Sequence, residues 1–119
     1  MVYFVESSKR AAELIDQNLK PLGVANRFEI LQRDSQKAMR DLQARQITPN
    51  FIFLDPPYRL QQAYQDTLIF LGNSHLSRRA LIIAEHEKRF DPGGTFETLD
   101  RFRTLQQGDV ALSFYRNRE

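Results

Sequence analysis

Short apolar runs alternate along this chain with longer stretches in which apolar residues recur every three or four positions. VYFV, residues 2–5, is β-branched and aromatic and predicts a buried strand. Ser7 or Ser8 can cap a helix in which Ala11, Ala12, Ile15 and Leu19 recur at helical spacing. Lys20 precedes Pro21, which disfavours further helix, and Gly23 suits the turn beyond it. RFEILQ (27–32) alternates as a strand does, and Asp34 or Ser35 can cap a second helix carrying Ala38, Met39 and Leu42 on one face. FIFL (51–54) is apolar without alternation, which predicts a strand covered on both faces. Ala63, Tyr64, Leu68 and Leu71 mark a third helix that stops at Gly72, and ALIIA (80–84) reads as a fourth strand. The tail differs. FETLDRFRTL (96–105) and VALSFYR (110–116) alternate on either side of a loop holding Gly108, which predicts an antiparallel hairpin.

Strand, helix, strand, helix, strand, helix, strand is the order of a doubly wound α/β sheet, here closed by a hairpin. The 119 residues fit one domain, with no repeat, linker or low-complexity segment. No apolar run approaches the roughly 20 residues that span a bilayer, and MVYFVESSKR lacks the form of a secretory leader. Cysteine is absent, which excludes disulfides and thiol catalysis and leads us to expect a cytoplasmic protein. A net charge of +2 does not by itself argue for a nucleic-acid partner. Arg101, Arg103, Arg116 and Arg118 nevertheless cluster near the end of the chain, either as a basic edge or as a solvated face.

In open α/β sheets, ligands sit outside the carboxyl ends of the strands. That rule selects Glu6, Asp34 and Asp55, each at or just past a strand end. Glu6 could accept hydrogen bonds from ribose hydroxyls, and Asp34 could meet an exocyclic amine; both could equally be helix caps. Asp55-Pro56-Pro57-Tyr58 is sharper. The prolines fix φ and remove two donors, so the turn offers acceptors: the Asp55 carboxylate and the carbonyls of Asp55 and Pro56. An acceptor-only turn beside an aromatic ring suits a flat NH-bearing group such as a nucleobase amine, on which Tyr58 could stack. A rigid turn with Tyr58 packed beside it is the plainer alternative.

VYFVE, the capped helix, RDSQ after a strand, FIFLDPPY and the terminal hairpin with Gly108-Asp109 together resemble the S-adenosylmethionine-dependent methyltransferases. More narrowly they resemble the bacterial family that methylates the N2 amine of a guanine in small-subunit ribosomal RNA, over almost the whole chain from Val2 to about Arg116. The resemblance implies a Rossmann-like α/β methyltransferase sheet with a C-terminal antiparallel hairpin. It implies that Glu6 holds the ribose of S-adenosylmethionine, that Ser7 borders the cofactor where the family usually has a larger residue lining the adenine, and that Asp34 contacts the adenine amine with Ser35 alongside. Asp55 and the Pro56 carbonyl would grip the target amine, Tyr58 would stack on the base, and Pro57 and Arg59 would border the substrate. No metal is expected. Hydrogen bonds to both N–H groups would localise the amine's lone pair and aim it at the methyl group.

The family also carries a first strand and a glycine-rich turn that cradles the methionine end of the cofactor, and neither has a counterpart here. The glycines stand at 23, 72, 93, 94 and 108, none after a strand preceding Glu6. A sheet lacking that first strand and helix must pair the strands ending at Glu6 and Asp55 directly or leave them as free edges, which invite oligomerisation. There are two rival readings. A non-catalytic domain derived from a methyltransferase would bind RNA through Arg59, Arg101, Arg103 and the tail, or would be merely structural. A response-regulator receiver domain would need paired acids after its first strand and a hydroxyl after its fourth, where this chain has Glu6-Ser7 and Ala84-Glu85. His75 and His86 lack metal-ligand spacing, and His86 is expected at the surface; Glu85, at the carboxyl edge of a strand, could border the substrate pocket, with a surface position the plainer expectation.

Overall fold

A computed structural model describes residues 1–119. The elements occur in the predicted order and gather into two compact units, residues 1–44 and 45–119.

In the first unit, β1 (Val2–Val5) and β2 (Phe28–Leu31) form a two-stranded parallel sheet, with Val2 opposite Phe28 and Val5 opposite Leu31. Between them runs α1 (Lys9–Leu19), and Ser8 rather than Ser7 caps it: its hydroxyl accepts the Ala11 amide at 3.2 Å. A single 3-10 turn over Lys20–Leu22 absorbs Pro21 and ends at Gly23, whose φ of 69° is the left-handed geometry glycine adopts freely. The second helix, α2 (Ser35–Ala44), starts from Asp34 and buries Ala38 and Met39.

The second unit contains β3 (Phe51–Leu54), α3 (Gln61–Gly72), β4 (Leu81–Glu87), β5 (Thr95–Phe96), β6 (Leu99–Gln107) and β7 (Val110–Asn117). Its sheet has the order β3-β4-β7-β6-β5; β3 and β4 are parallel and the other pairs antiparallel. Tyr64, Leu68 and Leu71 of α3 are buried, as are Ile82 and Ala84 of β4 and Tyr115 of β7. Gly72 ends α3 for a steric reason: a Cβ there would lie 2.1 Å from the Phe96 carbonyl oxygen.

Three expectations need correction. FIFL is not covered on both faces, because Phe51 and Phe53 remain 71% and 58% exposed. Residues opposite one another in a sheet share a face, so Phe53 lies with Ile83 and, across β7, with Phe114. That face is the one with no helix of its own unit on it, whereas the Ile82, Ala84 and Tyr115 face forms the core. His86 is not at the surface either. β4 runs on to Glu87, past the predicted end at Ala84, and this carries His86 onto the core face at 3% exposure. There its Nδ1 meets the Glu87 carbonyl and its Nε2 the Ser113 hydroxyl, each at 2.8 Å. Glu85, also expected at the surface, is half-buried. As for the strands ending at Glu6 and Asp55, β1 has only β2 as a neighbour and β3 only β4, so each keeps a free edge.

Candidate functional site

In the first unit, Glu6 extends the ladder by one step, its amide donating to the Leu31 carbonyl at 3.1 Å. Its carboxylate accepts the Ser8 amide at 3.3 Å through Oε2. Asp34 is a helix cap in fact: Oδ1 accepts the Lys37 amide at 2.9 Å, and Lys37 Nζ lies 3.9 Å from Oδ2. Both acids therefore stand at the carboxyl ends of adjacent parallel strands; Glu6 uses one oxygen locally, and Asp34 has Lys37 beside both of its oxygens. Ser7 and Ser35 are exposed beside them.

This donor and acceptor set fits the adenosine half of S-adenosylmethionine, which needs acceptors for ribose hydroxyls and an adenine amine. The methionine half finds no cradle in these residues, because the glycines are occupied with other tasks. Gly23 ends the 3-10 turn, Gly72 is pressed on Phe96, Gly93, at φ 118°, lies under the Phe96 ring, and the Gly94 carbonyl accepts the Arg101 amide at 2.8 Å. Gly108, at φ 63°, makes the β6–β7 turn.

In the second unit, Leu54 sits opposite Ala84 in the parallel register, which brings the next residues, Asp55 and Glu85, side by side at the carboxyl edge. Pro56 and Pro57 then turn the chain, and the Leu60 amide closes that turn on the Pro57 carbonyl at 2.8 Å. Tyr58 projects at 37% exposure, with Arg59 exposed next to it. Tyr64 is buried beneath. Its hydroxyl donates to the Glu85 carbonyl at 2.6 Å and lies 3.4 Å from the Pro56 carbonyl, so one side chain from α3 ties the two strand ends together.

The electrostatics of this corner are acidic. A hydrogen bond with the Asp55 side chain, reinforced by burial and by the Asp55 charge, raises the Glu85 carboxyl above the ordinary carboxylate range. Burial, with the Asp55, Glu85 and Glu87 charges among others behind it, pushes the Tyr64 phenol up to about 12. Desolvation and the Glu85, Asp55 and Glu87 carboxylates also raise Tyr58. No cation contributes to any of these shifts.

Of the residues at this corner, Glu85 is legible in the sequence as an acid at a strand's carboxyl edge that could border the substrate pocket, whereas Tyr64 is not singled out. A signal for Glu85 is present: two parallel strands, FIFL and ALIIA, each end in an acid, and neighbouring parallel strands align their ends. Tyr64 reads only as one apolar position of a helix, and its hydroxyl partner cannot be seen without the turn geometry.

The terminal arginines separate into two kinds. Arg101 bonds Asp91 at 2.6 Å, and Arg118 bonds Asp100 at 2.7 Å and the Glu97 carbonyl. Arg116 instead lies over the Phe102 ring, 5.6 Å from its centroid, and Arg103 is exposed near it. Phe102 occupies a register shift between Arg101 and Arg103 and is 54% exposed.

A family model described as "Conserved hypothetical protein 95" matches residues 1–116. A curated Bacillus subtilis (strain 168) protein named "Putative rRNA methyltransferase YlbH" is 25% identical over 115 residues, covering 97% of this chain but 62% of its own length. The chain thus spans less than two thirds of that relative. Among solved structures, "putative methylase HI0767" from Haemophilus influenzae is 27% identical with a TM-score of 0.71, covering 98% of this chain and 72% of its own. A conserved hypothetical protein of Streptococcus pyogenes superposes with a TM-score of 0.82 at 24% identity, covering 97% of this chain and 70% of its own. The second likeness is one of fold alone. The fold is α/β and Rossmann-like.

Proposed function

Because the chain belongs to the conserved hypothetical protein 95 family, we propose that it carries the substrate-gripping half and the adenosine-binding half of an S-adenosylmethionine-dependent rRNA methyltransferase. The target is the exocyclic N2 amine of a guanine in small-subunit ribosomal RNA. The observation that carries this reading is the corner at the end of β3: Asp55 and the Pro56 carbonyl present acceptors, with an exposed aromatic ring immediately beyond them.

When bound, S-adenosylmethionine supplies a methyl group on a sulfonium. The chain's own residues do the rest. Asp55 and the Pro56 carbonyl accept the two N–H bonds of the amine, which turns its lone pair out of conjugation with the ring. Tyr58 stacks on the flipped base and offsets part of the few kcal/mol that flipping costs. Glu6 would offer its second carboxylate oxygen to the ribose hydroxyls, and Asp34 would accept the adenine amine at the oxygen that otherwise faces Lys37 Nζ at 3.9 Å, with Ser7 and Ser35 at the rim. Pro57 and Arg59 border the incoming RNA.

RNA as the partner is supported by the hairpin surface at Phe102, Arg103 and Arg116, where an aromatic face and guanidinium groups are presented together. The free edges of β1 and β3 also allow association between copies of the chain. A second reading, a non-catalytic RNA-binding or structural domain, is favoured by one observation: within residues 1–119 the glycines serve turns and packing and none cradles the methionine half of the cofactor.

Calorimetric titration with S-adenosylhomocysteine separates the two readings. Binding by this chain that Glu6→Ala loses supports a working cofactor half-site, and methyl transfer to small-subunit rRNA is the next assay. No binding at millimolar ligand overturns catalysis by this chain alone.

A further inference from the structure

Two independent features hold Glu85 in place. The first is register. Adjacent residues on paired parallel strands lie roughly 5 Å apart and point to the same side of the sheet. With Leu54 opposite Ala84, Asp55 and Glu85 must therefore be neighbours on the face that carries Phe53 and Ile83. The second is the Tyr64 hydroxyl, which fixes the Glu85 main chain at 2.6 Å and sits 3.4 Å from the Pro56 carbonyl. The acid beside Asp55 and the carbonyl that accepts the amine are thus set by the same buried side chain.

Two carboxyl groups hydrogen-bond to each other only when one carries a proton. The groups facing the pair are Tyr58 from the turn, Tyr64 from α3, and Glu87 further along β4; across β7, Leu112 is the residue opposite Glu85. All are neutral or acidic. With both acids ionised, the arrangement therefore favours taking up one proton and sharing it between Asp55 and Glu85.

We propose that Glu85 is a further catalytic residue of the Asp55-Pro56-Pro57-Tyr58 site, and that Asp55 and Glu85 act as one proton-sharing pair that receives the proton shed by the methylated amine. This rests on the methyl-transfer reading above. In that reaction the amine lone pair forms the new N–C bond, the C–S electron pair stays on the donor sulfur, and the nitrogen then gives up one proton. A lone aspartate of ordinary basicity is a weak acceptor near neutral pH, and a pair whose like charges repel is a better one. From the pair the proton passes to bulk water, because Asp55 is exposed and Glu85 only half-buried.

The test is a carbon-13 carboxyl NMR titration of the whole chain, with Glu85→Gln and Asp55→Asn beside it, and then pH–rate profiles with S-adenosylmethionine and deproteinised small-subunit rRNA. The expected result is that the Asp55 and Glu85 signals titrate together in the unaltered chain, with one step above the usual carboxylate range. Each variant should collapse the remaining acid to a single ordinary step. Glu85→Gln should lower kcat by about tenfold or more and move the acid limb of the profile, while KM changes little. Independent titration of the two acids overturns the pair. Coupled titration with an unmoved pH–rate profile overturns the catalytic role and leaves the pair structural. Coupled titration in a chain that transfers no methyl group overturns the methyltransferase reading and the catalytic role with it.

Discussion

Tyr64 shows how one side chain can couple core and site. Its ring is 1% exposed and packs against His86 and Phe90, at centroid distances of 6.3 and 5.4 Å, while its hydroxyl reaches the Glu85 carbonyl. Tyr64→Phe keeps the ring and removes only the hydroxyl. It should cost about 1 kcal/mol, the net worth of one hydrogen bond plus the acceptor it leaves behind, read as a lower melting temperature at unchanged denaturant slope. A change under a few tenths of a kcal/mol would mean that water replaces the hydroxyl and that the two strand ends are not tied through Tyr64. At this scale the sequence is informative where chemistry is local. The proline turn, the Ser8 and Asp34 caps and the Gly23 turn are decided by neighbours within four residues, and all are readable. The burial of His86 is not, because its surroundings come from α3 and β7, and Glu85 is readable only as an acid at a strand's carboxyl edge, without its partner Asp55.

At the scale of elements, β3 is the informative misreading. Four apolar residues in a row normally predict a strand buried on both faces, and the strand forms as predicted. Yet only the Ile52 and Leu54 side is partly sheltered, and Phe51 and Phe53 stand largely in solvent on a strand with one free edge. The pattern records what the strand suits, and burial depends on what else is present to cover it. An uncharged aromatic edge is a template for association. Phe53→Lys should therefore leave stability within about 0.5 kcal/mol, as exposed substitutions do. It should also reduce concentration-dependent association, measured by light scattering between micromolar and millimolar chain. Unaltered chain that scatters as a monomer throughout that range would rule out this edge as a contact between copies.

Across the whole molecule, the two units differ in what holds them. Residues 1–44 bring two parallel strands and two helices, and their fully apolar burial comes down to Ala12, Leu31, Ala38 and Met39. Residues 45–119 bring five strands and a helix, with Tyr64, Leu68, Leu71, Ile82, Leu99 and Tyr115 all at 1% exposure or less. Each large side chain of that kind contributes roughly 1.5–3 kcal/mol on burial, and a two-stranded sheet alone is marginal in water. Stability should therefore be unequal along the chain. Native-state hydrogen exchange should find the amides of β1 and β2 opening at least about 100-fold more readily than those of β4 and β7, a gap of some 2.7 kcal/mol. Because Glu6 and Asp34 lie on the weaker unit, S-adenosylhomocysteine should narrow that gap by protecting β1 and β2 if it binds there, by an amount set by its concentration over its dissociation constant. Equal protection of all four strands without ligand would mean that the small unit draws stability from beyond its own core. Protection confined to β4 and β7 on adding ligand would place the adenosine contacts away from Glu6 and Asp34.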